Sequence, residues 1–126
     1  MNDTAGLSRQ VSHSIDLLVD SLNGLETLLA LYREADRAWT PGELAVHLRI
    51  SPRAARQELD RLTARGVVET AETLDGPIYH YRPADPGHAT HVAHIAEAYA
   101  TRRIETINYV ASGRLRRMRS EASKDL

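Results

Sequence analysis

Three side chains behind a single serine carry the chemistry that this chain displays most openly: Arg53, Arg56 and Gln57, following Ser51. An arginine fork matches guanine O6 and N7, and a glutamine amide matches adenine N6 and N7. To read bases together, all three must stand on the open side of one helix near its start. Ala55, Leu59 and Leu62 recur at helical spacing and read as the covered side. That leaves Arg53, Gln57, Asp60 and Ala64 facing outward, with Arg56 and Arg61 beside them. Ser51 and the N–H groups at the helix start suit a phosphate, because that terminus carries partial positive charge. Thr40, Arg49 and Arg61 are placed to touch the sugar-phosphate backbone. The plainer alternative is a solvated helix face on which Arg56 pairs with Asp60 one turn later.

The elements needed to hold these residues are written on either side of them. Thr40 and Glu43 form a capping box, with Pro41 at the first helical position. Leu44, Ala45 and Leu48 line one side of the short helix that follows. Ser51-Pro52 opens a second helix, 52–65, and Ile50 plugs the turn between the two. Gly66 offers the left-handed residue that ends a helix. Two short helices packed through small and branched residues make a helix-turn-helix, which lays its second helix in the DNA major groove.

The string Leu44-Ala45, Leu48, Ile50-Ser51, Leu59, Leu62 and Gly66-Val67-Val68 resembles the bacterial winged helix-turn-helix regulators, of ArsR-like or MarR-like architecture. With the segment that follows, the likeness covers about half the chain. It implies a mainly α fold with a small β-hairpin, a DNA-binding second helix and a long C-terminal helix that commonly pairs subunits.

After Gly66 the residue pattern changes. Val67 to Leu74 and Ile78 to Arg82 are rich in β-branched and aromatic residues, and Asp75-Gly76 between them signals a hairpin. Pro77 limits how far pairing reaches into the turn. Tyr79 and Tyr81 share one face, toward the core, with Ile78 and His80 on the other. A strand at Ala38-Trp39 adds a third member, and Trp39 reads as a core anchor. This wing carries Glu69, Glu72 and Asp75 and no arginine before Arg82. Acidic residues repel phosphates, so either the wing stays off DNA or the fold serves protein binding.

A chain of 126 residues suits one domain, possesses no cysteine or phenylalanine, and has a formal net charge of −1. Disulfides, thiolate metal sites and thiol redox sensing are thereby excluded. No apolar run approaches a membrane span and no basic-then-apolar leader opens the chain, so a cytoplasmic location is expected.

Along the chain, residues 1–11 read as a flexible N-terminal tail and 12–84 as the winged helix-turn-helix domain. From Ser12 to Asp36, Ile15, Leu18, Val19, Leu22, Leu25, Leu28, Leu29 and Tyr32 recur at helical spacing, interrupted at Asn23-Gly24. A short leading helix and a longer one from near Ser21 follow from this. Residues 85–113 read as a linker and a dimerisation helix, with Val92, Ile95, Tyr99, Arg103, Ile107 and Val110 on one arc as its interface. The alternative is that this helix folds back on its own domain. Residues 114–126, with Arg114, Arg116, Arg117, Arg119 and Lys124, form a basic C-terminal tail, either solvated or touching DNA.

His88, His91 and His94, spaced by three with Glu97 next, are the remaining group with chemical potential. Together they sweep about 120° of a helix surface, too wide for one metal ion without further ligands. No metal and no cofactor is expected. No phosphate-binding glycine loop, nucleophile elbow or HExxH is present, which points away from an enzyme. The expectation is a homodimer on an inverted-repeat operator in double-stranded DNA, acting as a repressor. The alternative is a winged-helix module with a protein partner, and a weaker third reading is a ligand-sensing regulator.

Overall fold

Five helix starts coincide with a side chain that accepts an otherwise orphaned backbone N–H. The computed structural model describes residues 6–124, and side chains as far as residue 113. Ser8 caps α1 (Arg9–Leu18) by accepting from Val11 N at 3.2 Å, and Ser21 caps α2 (Leu22–Arg33) by accepting from Gly24 N at 2.9 Å. After β1 (Ala38–Trp39), Thr40 caps α3 (Pro41–Leu48) and Ser51 caps α4 (Pro52–Ala64). The hairpin β2 (Val68–Thr73) and β3 (Gly76–Tyr81) follows. Asp85 caps α5 (Pro86–Thr101), and α6 (Arg103–Lys124) closes the described chain. Proline occupies the first turn of α3, α4 and α5, where no N–H is needed.

The three strands form one antiparallel sheet in the order β1-β3-β2. Trp39 stands opposite Tyr79, and the hairpin pairs from Val68↔Tyr81 down to Thr73↔Gly76. Pairing therefore passes Pro77, which sits opposite Glu72, and the loop is Leu74-Asp75 rather than Asp75-Gly76. Gly76 carries the positive φ of 108°, while Arg49 is the only described non-glycine residue with φ above zero. The left-handed residue thus follows the loop instead of lying within it.

The core is continuous. Leu25, Leu28 and Leu31 of α2 meet Leu44, Leu59, Leu62, Val67, Trp39 and Tyr79, all essentially without solvent contact. Ile15 and Leu18 of α1, Val92 and Ile95 of α5, and Tyr109 and Val110 of α6 belong to the same cluster. Among the described residues no helix is long and apolar enough to cross a membrane.

Several expectations need correction at the chain ends. The span 1–11, read as a flexible tail, holds the start of α1 at Arg9 and a buried Leu7. The Ser8 cap and that leucine anchor its second half, while residues 1–5 lie outside the described residues. The expected long terminal helix is two helices, broken at Arg102 with φ −139° and ψ 59°. The break lets α6 turn back so that Thr106, Tyr109 and Val110 bury in this chain's own core. The Tyr109 hydroxyl donates to Asp16 of α1 at 3.0 Å and fixes that return. The expected tail 114–126 continues the α6 backbone to Lys124; its side chains lie outside the described residues.

Candidate nucleic-acid interface

The helix-turn-helix is held rigid by its own local chemistry. Thr40 Oγ1 accepts from Glu43 N at 3.1 Å, and Thr40 N donates to Glu43 Oε1 at 2.8 Å. That backbone hydrogen bond is the main reason the Glu43 carboxyl is held below the usual range, aided by the Thr40 hydroxyl and Arg37. Arg37 itself stacks over Trp39, 3.5 Å from the ring centroid. In the turn, Arg49 adopts the left-handed conformation, and both its N–H and that of Ile50 bond to the Ala45 carbonyl. Ser51 Oγ then accepts from Ala54 N at 3.0 Å.

On α4 the covered side is Ala55, Leu59 and Leu62, all at 1% exposure or less. Arg53, Arg56, Gln57, Asp60 and Arg61 are exposed, as are Arg49 and Ser51. The structure thus brings the base-reading candidates Arg53, Arg56 and Gln57 onto one open face. Thr40 is half-buried beside the ionised Glu43, an unfavourable neighbour for a phosphate. At the start of α4, Pro52 has no N–H and Ala54 N is taken by Ser51, which leaves the Arg53 N–H for an anion.

The arginines differ in how they are held. Arg56 Nε lies 3.7 Å from Asp60 Oδ2, the one-turn pairing weighed as the plainer alternative. Arg61 Nη1 lies 3.0 Å from Glu58 Oε2, which draws it toward α2. Arg65 donates to the Leu18 carbonyl at 2.7 Å and to Asp20 at 3.0 Å, locking α4 to the break between α1 and α2. Glu58, Asp20 and Arg65 escape sequence reasoning: a glutamate on the inner side of an amphipathic helix gives no signal until its partners are placed.

The wing joins this face through β3. Tyr79 is buried, yet its hydroxyl donates to Asp60 Oδ1 at 2.6 Å. Burial foremost, and then that carboxylate, push the Tyr79 hydroxyl above its usual range. On the outer side of the hairpin Glu69 is shared by His80 at 3.8 Å and Arg82 at 3.6 Å. Glu72, Leu74 and Asp75 stand exposed around the tip.

The histidines divide. His88 Nδ1 sits 2.8 Å from Asp85, whose carboxyl is held low chiefly by that bond. His91 and His94 both turn their Nδ1 toward Ser14 Oγ of α1, at 2.7 and 3.4 Å, and His13 lies edge-on to His91. Among the described residues no group of three or more histidine, aspartate or glutamate side chains is gathered as a metal ion would need.

Half of the expected subunit interface lies inside the chain's own core. Val92, Ile95 and Val110 are buried in its own core, because α5 packs on α1 and α6 folds back. Tyr99 and Ile107 are half-buried, and Arg103 is exposed. Arg103 lies over the Tyr99 ring, 4.8 Å from its centroid, with Arg33 at 5.7 Å. Among the described residues the large apolar side chains that stand open are Leu74 on the wing, Val46 on α3 and Ile104 on α6, with Leu17 on α1 and Leu22 on α2 less so.

Comparison with solved structures matches this arrangement to MarR from E. coli. A mutant MarR superposes with a TM-score of 0.55 at 18% identity, over 92% of this chain and 85% of that one. Wild-type MarR in its apo form gives 0.53 at 19% identity, over 94% and 87%. The fold is a winged helix-turn-helix. No protein-family model matches the sequence, and no curated protein does either. At this identity the likeness concerns architecture, so the chemistry must come from this chain's own residues.

Proposed function

We propose that this chain is a sequence-specific, DNA-binding transcriptional regulator that acts as a homodimer and represses by occupying its site. The observation that carries this reading is the open face of α4. Arg53, Arg56 and Gln57 stand exposed on a helix whose other side is fully packed. A rigid helix with an arginine- and glutamine-bearing face has the donors and acceptors for major-groove readout. Arg49, Ser51 and Arg61 flank it and suit phosphates, Arg61 only by leaving or sharing Glu58.

The open apolar residues Ile104, Leu17 and Leu22, together with the half-buried Ile107 and Tyr99, support a second copy as partner. Two-fold symmetry places recognition helices about one DNA turn apart, ~34 Å, and hence calls for an inverted-repeat operator. Repression requires nothing beyond occupancy, which a chain of this size can deliver.

Binding of the purified protein to its preferred duplex, titrated with salt, tests the reading. Affinity should fall steeply and log-linearly as salt rises, since several phosphates are neutralised. Affinity indifferent to salt, or indifferent to sequence, contradicts it.

One observation favours a second reading. The wing tip carries the exposed acids Glu72 and Asp75, which would repel the phosphates of a duplex. They suit a basic protein partner, and the fold would then serve as an adaptor or antagonist without DNA affinity. Recovery of one stoichiometric protein partner, with no retained DNA, separates the two.

A further inference from the structure

The DNA-facing side of α4 carries a carboxylate, Asp60, where phosphate attraction alone argues against one. Its two oxygens are both in use. Oδ1 accepts the Tyr79 hydroxyl at 2.6 Å, and Oδ2 lies 3.7 Å from Arg56 Nε. The Tyr79 ring is 1% exposed and sits in the middle strand of the sheet, so its hydroxyl cannot wander. A fixed hydroxyl fixes the carboxylate beside the Arg56 guanidinium.

The geometry points to Asp60 and Tyr79 as positioning residues that aim Arg56 at a single base of the operator. This rests on the DNA-reading function proposed above and specifies how part of it works. Asp60 approaches Arg56 most closely at Nε, with the two terminal nitrogens farther from it. Those terminal N–H groups are the ones that can form a bidentate pair with guanine. An arginine with more than half its side chain in solvent otherwise samples many rotamers, and ordering it on binding costs affinity and angular selectivity. Arg53 illustrates the unrestrained case: it has no side-chain ion pair among the described residues. Arg61 illustrates the opposite, held by Glu58 toward α2. Of the paired arginines on this helix, Arg56 meets its carboxylate at Nε and Arg61 meets its own at a terminal nitrogen.

The test uses the whole protein and a panel of duplexes carrying the selected operator and every single-base change within one half-site. Arg56→Ala should erase discrimination at one base position. Asp60→Asn and Tyr79→Phe should each reduce discrimination at that same position by about 3- to 10-fold, with the other positions and the salt slope unchanged. Adding either change to Arg56→Ala should bring no further loss there. Without DNA, the Arg56 Nε–Hε NMR resonance should be sharp and distinct in the wild type and averaged in Tyr79→Phe. Asp60→Asn is a surface change that leaves the core intact, so it stands if the tyrosine variant folds poorly.

Full retention of discrimination in both variants, with Arg56→Ala losing it, overturns the proposal and leaves the DNA-reading function standing. Uniform weakening at every position, accompanied by a lower Tm, also overturns it and makes the Tyr79–Asp60 bond a staple between sheet and helix. Equal tightening on every duplex in Asp60→Asn does the same and makes Asp60 merely a repelling charge. A wild-type protein that prefers no duplex overturns the regulator reading itself, and this inference with it.

Discussion

Glu58 and Arg61 form an ion pair at 3.0 Å within α4, with the glutamate side chain 8% exposed and the arginine half in solvent. The buried carboxylate also takes the Ser21 hydroxyl at 3.4 Å, and a Cβ on Gly24 would lie 3.3 Å from its other oxygen. It therefore sits at the N-terminus of α2, where partial positive charge helps to offset its desolvation. One residue thus ties α4 to the helix beneath it.

Removing that carboxylate should loosen the joint. Glu58→Ala should cost roughly 1–3 kcal/mol, since Ser21 and Arg61 lose an acceptor in a half-covered site. Thermal unfolding measures it, with a Tm several degrees lower as the expected result. An unchanged Tm means that the pair adds nothing to folding.

His91 gives the protein a pH dependence with a definite sign. Burial, chiefly, and the neighbouring His13, His94 and His88 lower its proton affinity, with Asp85 opposing them and Ser14 accepting or donating at its Nδ1. The unfolded chain then binds more protons than the folded one between the depressed value and about 6.5. Stability contributed by neutral His91 is complete above that ordinary value and declines as pH falls through the window. Melting curves from pH 8 to pH 5 should show a falling Tm, and His91→Gln should flatten the decline. A variant with the same pH profile as wild type assigns the dependence to other groups.

Two glycines separate backbone strain from crowding. Gly66 has φ +82° and a Cβ there would lie 3.1 Å from His88 Nε2, whereas at Gly76, φ +108°, nothing lies within 4 Å. Gly76→Ala should cost only the left-handed penalty, about 1–2 kcal/mol. Gly66→Ala should cost more, because His88 is held by Asp85 at 2.8 Å and has to move. Equal losses in denaturant unfolding contradict the crowding at Gly66.

Base readout has its own signature. Arg53→Ala and Gln57→Ala should each lose roughly 1–3 kcal/mol on the preferred duplex and relax base choice at one position. Because both residues are exposed, Tm should hold. Titrations on matched and single-mismatch duplexes decide the matter, and variants that bind every duplex as wild type does refute the assignment.

Much of the fold was legible because its signals are local. The Thr40-Glu43 capping box, Ser51-Pro52, Gly66 and the alternation of Tyr79 and Tyr81 need only neighbours a few residues away. The same holds for the open face of α4, defined by the spacing of Ala55, Leu59 and Leu62. What escaped depends on distant partners. The break at Arg102 comes between stretches of compatible helical residues and is explained by burial of Tyr109 and Val110, which no local pattern reveals. Apolar periodicity in 92–110 says that a face is covered but not by what, so residues of the chain's own core read equally well as a subunit interface. Glu58 and Arg65 act through Ser21, Leu18 and Asp20, far away in sequence. The hairpin loop slipped by one residue because Gly76 supplies its left-handed turn after Leu74-Asp75.

Selection of duplexes from a random pool by the purified protein, at physiological salt and read by sequencing, tests the exposed face of α4 most directly. Enrichment of an inverted repeat with half-sites about one helical turn apart is the predicted result, lost when Arg53 and Gln57 are both replaced by alanine. A pool that emerges unenriched, or the same enrichment with that double variant, contradicts it.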